Sequence, residues 1–101
     1  MVEALTIHPQ AVALVEQGVD ILRRLGATEV YVFGSATSGR WVLGQSDLDF
    51  AERGIRPQDF YSAVGQLLTR IEPASSDLVD LDDDTPFTRY LQRKGKLLRV
   101  G

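Results

Sequence analysis

The sequence predicts a small α/β domain of the α+β kind, a mixed β-sheet with helices packed on one face. Three observations predict it. Two segments, about Pro9 to Leu25 and Pro57 to Ile71, repeat apolar residues at helical spacing. Short β-rich runs at Glu29–Phe33, Asp47–Ala51 and Asp77–Leu81 are interleaved with them. The resulting order, α-β-turn-β-α-β-α, suits a single sheet whose other face looks outward.

In the first helix Val12, Val15, Val19 and Leu22 form the expected buried stripe, leaving Glu16, Asp20 and Arg23 to water. Pro9 fits its first turn, and Gly26 fits the left-handed position just past its end. EVYVF at 29–33 reads as a strand that Gly34-Ser35 stops abruptly. The stretch Ala36 to Gln45 is small, polar and punctuated by glycine, with room for a helical turn. DLDFA at 47–51 alternates, placing Asp47 and Asp49 on one face and Leu48 and Phe50 on the other. In the second helix Phe60, Val64, Leu67, Leu68 and Ile71 form the stripe, and Pro73 ends it. Asp77–Leu81 is the third strand. Thr85-Pro86 caps and starts a last helix running to about Lys94, Gly95 closes it, and Leu97–Val100 adds a short edge strand.

The chain has 101 residues, without repeat, linker or low-complexity tract, so residues 1–101 are expected to form one domain. Apolar residues make up 44%, enough for one core. The net charge of -3 argues against a general nucleic-acid binder, though not against a local phosphate site. With no cysteine and a single histidine, His8, disulfides, thiolate metal sites and cysteine nucleophiles are excluded. No apolar run reaches membrane-spanning length, and Met1-Val2-Glu3-Ala4 lacks the plan of a secretory signal, so a cytoplasmic location is expected.

The chemistry concentrates in GS…SDLDF. Gly34 lets a ligand approach the backbone. Amide N–H groups after it, and the Ser35 hydroxyl, can hold phosphate oxygens. Two aspartates at i and i+2 of a strand converge on one spot, and Mg²⁺ favours such oxygen ligands together with phosphate and water. A third carboxylate from a neighbouring strand would let two metals sit about 4 Å apart and clamp an in-line displacement at phosphorus. Asp77 and Asp80 are the candidates. They cannot share a face of a regular strand, and the alternation pattern alone does not choose between them.

Gly34-Ser35, then Ser46-Asp47-Leu48-Asp49, then Asp77-Leu78-Val79-Asp80-Leu81 resemble the DNA polymerase beta-type nucleotidyltransferase superfamily, and within it the minimal (MNT) group. The resemblance spans nearly the whole chain and implies the nucleotidyltransferase fold. It also implies a two-metal Mg²⁺ site on Asp47, Asp49 and Asp77, because the third aspartate of the family usually leads an Asp-Leu-Val stretch. ATP is the implied substrate, with Gly34, Ser35, Arg40 and Ser46 as its binding residues. Two features differ from the family pattern. Relatives often carry basic residues just after Gly-Ser, where this chain has Ala36 and Ser38. The gap to Asp47 is one residue longer and holds Trp41-Val42.

A chain this small has room for a triphosphate but no added domain to position an acceptor. Minimal relatives are often paired with a helical HEPN protein as antitoxin and toxin. The resemblance therefore implies transfer of AMP to a tyrosine hydroxyl of such a partner, in a complex with it. The alternative is a catalytically inactive protein of the same fold that neutralises its partner by binding alone. Asp82-Asp83-Asp84 reads as a solvated turn, Trp41 as a core or partner contact, and His8 as a surface residue. The basic group Arg89, Arg93, Lys94, Lys96 and Arg99 reads as solvated charge near a helix end.

Overall fold

A computed structural model describes residues 6–71 and 75–101. The readings made at Met1–Ala4 and at Pro73 lie outside them. The four strands are β1 (Glu29–Phe33), β2 (Leu48–Arg53), β3 (Ser76–Asp80) and β4 (Leu98–Arg99). Their order across the sheet is β3-β2-β1-β4. β1 runs antiparallel to both β2 and β4, whereas β2 and β3 are parallel. The helices are α1 (Val12–Arg24), α2 (Pro57–Arg70) and α3 (Pro86–Arg93). A 3-10 turn at Pro9–Ala11 precedes α1, and another at Gly34–Thr37 follows β1. This is the expected α/β mixed sheet, and each predicted element is present.

The two long helices pack on one face of the sheet, as expected. Their residues Val15, Ile21, Leu22, Ala63, Leu67 and Ile71 meet Val30, Val32, Leu48 and Phe50 from the strands. Burying each of the larger of these side chains is worth about 1.5–3 kcal/mol. Both helices are rotated relative to the predicted stripes. Val12 is 39% exposed and Leu68 51% exposed, while Gly18 and Ala63 face inward. The reason is close approach. A Cβ at Gly18 would lie 2.8 Å from a ring carbon of Phe50, so a helix position without a side chain receives that ring.

α3 does not join them, contrary to the expectation that the helices share one face: it lies across the opposite face, where Phe33, Ala51 and Leu81 offer an apolar patch for it to cover. Its Leu91 joins Phe33, Ala51 and Leu81 in a smaller cluster, and Phe87 sits edge-on to Phe33 with ring centroids 6.0 Å apart. The start of α3 is fixed as the sequence predicts. Thr85 Oγ1 accepts from the Thr88 N–H at 3.1 Å, and Thr88 Oγ1 accepts from the Thr85 N–H at 3.0 Å, a reciprocal cap. The acidic turn before it is exposed but not wholly free. Asp82 Oδ2 accepts the Gly54 N–H at 2.8 Å, and its other oxygen lies 3.4 Å from Arg53 Nη1.

Candidate active site

The outward face of β2 carries the acidic residues. Leu48 and Phe50 are fully buried against the helices, so alternation turns Asp49 to the other side. Asp47 stands just before the strand and is exposed. The parallel register places one of the two candidate carboxylates of β3 beside Asp49. Asp77 pairs with Asp49 and therefore shares its face, while Asp80 pairs with Glu52 on the helix side. Asp77 is thus the neighbour of Asp49, and Asp80 is not.

Gly34 closes the site from the β1 side. Phe33 pairs with Asp49 across the antiparallel ladder, and Gly34 follows with φ +75°. A Cβ there would collide with Asp49 Oδ2, so the turn can lie against the carboxylate only because the residue is glycine. Within the turn, Ser38 donates to the Ser35 carbonyl through its N–H and its hydroxyl, and the Thr37 hydroxyl donates to the Gly34 carbonyl. Among the described residues the Ser35 hydroxyl has no hydrogen-bond partner, and the residue is half-buried.

The loop between the turn and β2 is held by Trp41. Its ring is buried, with 2% exposed, and its Nε1–H donates to the Asp47 carbonyl at 3.1 Å. Trp41 is therefore a core residue. His8 packs against it at 5.9 Å between centroids, half-buried rather than on the surface, and accepts from the Gln10 N–H through Nδ1. The His8 N–H donates to the Ala36 carbonyl at 2.8 Å, tying the turn to the start of α1. The Ser46 hydroxyl accepts the Val42 N–H at 2.9 Å, so it closes the loop. Arg40 is exposed and joins no ion pair among the described residues.

The aspartates also act on one another through their charge. Burial pushes the Asp49 carboxyl up to about 6, and the neighbouring Asp77 and Asp47 carboxylates add to the shift. Among the described residues no three carboxylate or imidazole side chains are gathered tightly enough to hold a metal as they stand. The register that sets Asp77 beside Asp49 is the placement a cation would use. An all-oxygen donor set, a glycine cradle against one carboxylate, and charge that a cation would relieve all fit magnesium.

Glu52 is a second buried acid that the sequence did not expose, because the predicted strand ended at Ala51. It continues the Leu48–Phe50 side and is fully buried. Its Oε2 accepts the Ile55 N–H at 3.0 Å, while Oε1 has no hydrogen-bond partner among the described residues. Burial pushes its carboxyl up to about 7. The Ile55 N–H opposes this, and Asp80 and Asp82 reinforce it. Below about pH 4.5 Glu52 is neutral in both folded and unfolded chains and costs nothing; stability is lost as the pH rises to about 7. Glu52→Gln keeps the acceptor for Ile55. It is expected to stabilise the protein by roughly 1–3 kcal/mol at pH 8, with the gain vanishing near pH 4. Urea unfolding at the two pH values measures it, and an equal difference at both would refute the linkage.

No family model matches the chain, and no curated protein matches it. Solved structures do. A toxin–antitoxin complex with AMP-PNP aligns with TM-score 0.66 at 20% identity, covering 83% of this chain and 69% of the other. A mutant of the MntA–HepT toxin–antitoxin pair aligns with TM-score 0.65 at 18% identity, covering 83% and 69%. A tri-AMPylated Shewanella oneidensis HEPN toxin in complex with its MNT antitoxin aligns with TM-score 0.62 at 18% identity, covering 87% and 69%. The chain shares the fold of these structures.

Proposed function

We propose that this chain is a magnesium-dependent nucleotidyltransferase that moves AMP from ATP to a hydroxyl of a helical HEPN-type partner, as the antitoxin of a toxin–antitoxin pair. The observation that carries the reading is the register that sets Asp77 beside Asp49, with Gly34-Ser35 closing against the same carboxylate. The fold is shared with a toxin–antitoxin complex with AMP-PNP and with a tri-AMPylated HEPN toxin in complex with its MNT antitoxin.

In this mechanism Asp47, Asp49 and Asp77 would hold the magnesium, which would supply neutralisation of charge at the α-phosphate and the departing pyrophosphate. The Ser35 hydroxyl donates to a phosphate oxygen, and Gly34 leaves the backbone open to it. Arg40 lies on the exposed loop, where it can swing towards the triphosphate, while Ser46 acts by holding that loop in shape. A tyrosine hydroxyl of the partner attacks the α-phosphorus. The new O–P bond forms as the α–β bridge breaks, and the hydroxyl proton passes to Asp77. Separate elements place the backbones of these groups around one spot, and the side chains close on the metal and the phosphates as they bind.

Incubation with ATP, Mg²⁺ and the product of the neighbouring gene is expected to add one or more AMP groups to that product. Intact-mass spectrometry reads the increment. A tight inhibitory complex without any mass change would instead assign neutralisation by binding alone.

A further inference from the structure

The turn after β1 offers hydroxyls but no cation. Gly34-Ser35 is followed by Ala36, Thr37 and Ser38. Bound triphosphates are ordinarily met by charged donors, whose hydrogen bonds are about twice as strong as neutral ones. A cation does stand on the other side of the turn. β1 and β4 pair Tyr31 with Arg99 and Val32 with Leu98, and the same register continued past the ladder brings Lys96 opposite Gly34. The surface agrees: a cleft of about 530 Å³ separates the turn from α3, and Gly34, Thr37, Ser38, Phe87, Tyr90 and Lys96 are among its walls. Lys96 is exposed and joins no ion pair among the described residues. Its basic neighbours Arg89 and Arg99 do, with Asp84 and Glu29. Gly34 therefore lies between an acidic edge at Asp49 and a basic edge at Lys96.

We infer that Lys96 binds the terminal phosphates of the nucleotide in this cleft, supplying the cation that the Gly-Ser turn lacks. The inference rests on the reading that the chain binds a nucleoside triphosphate. The α-phosphate then lies at the carboxylate side and the phosphate tail crosses Gly34 towards the ammonium.

Titration calorimetry with ATP and Mg²⁺ tests this on the wild type, Lys96→Ala, Lys96→Arg and Lys94→Ala. Lys96→Ala is expected to weaken binding by about tenfold or more, with Arg retaining most of the affinity and Lys94→Ala leaving it within about twofold. Wild-type affinity in Lys96→Ala overturns the role of Lys96 and leaves the nucleotidyltransferase reading standing. An equal loss in Lys94→Ala shows only a general field of charge and also overturns it. No binding by the wild type overturns both.

Discussion

Asp77→Asn is expected to lower nucleotidyl transfer by about 10²–10³-fold, while Asp80→Asn leaves it within a few-fold of wild type. The two residues are three positions apart on β3, so the strand sends them to opposite faces. Asp77 faces the site beside Asp49, and Asp80 stands beside buried Glu52. Asp47→Asn and Asp49→Asn belong with Asp77→Asn and should each abolish Mg²⁺-dependent nucleotide binding in a calorimetric titration. Their folds should survive, and without metal Asp49→Asn should be the more stable protein. The folded Asp49 carboxyl sits at about 6 against an ordinary 3.8, so its ionisation costs stability as the pH rises through that window. Its partial exposure reduces the gain at pH 8 to about 1 kcal/mol, or roughly 4–8 °C in Tm for a domain of this size. Substantial transfer by Asp77→Asn together with loss in Asp80→Asn would invert the assignment.

Trp41→Ala carries the largest expected cost to folding, about 3–5 kcal/mol, since it removes a fully enclosed aromatic ring. The loss reaches the site as well. The indole N–H holds the Asp47 carbonyl, and the ring supports His8, whose N–H holds the turn at Ala36. Trp41→Phe keeps most of the packing but leaves the Asp47 carbonyl without its donor. It should lose roughly 1–3 kcal/mol and weaken nucleotide binding more than an equally destabilising change elsewhere in the core. Chemical denaturation followed by circular dichroism measures both variants. A loss under about 1 kcal/mol in Trp41→Ala would show that the loop does not depend on the ring. Because Trp41 is the sole tryptophan, its fluorescence in the wild type also reports whether nucleotide binding moves the loop.

Much of this was legible in the sequence because it rests on local chemistry. The boundaries of β1 follow from EVYVF meeting Gly34, those of α3 from Thr85-Pro86 and Gly95, and the outward turn of Asp49 from alternation with Leu48 and Phe50. Other features needed the assembled fold. The helical stripes were misplaced because small residues take inward positions: Gly18 lies against the Phe50 ring of the sheet, and Ala63 is buried where a larger residue was expected. The position of α3 on the acidic face depends on Leu91 finding Phe33 and Leu81, which are far from it along the chain or across a turn. Trp41 could be assigned neither to the core nor to a partner until the loop was seen to fold back over it. Alternation could say that Asp77 and Asp80 oppose each other, but strand pairing alone says which one faces Asp49, because register is a relation between strands. The sequence by itself determined the elements, their order and the residue types at the site. The tertiary structure decided that Asp77 stands beside Asp49 and that Gly34 lies between Asp49 and the cleft lined by Lys96, since these neighbours come from segments whose separation in the chain carries no signal of their separation in space.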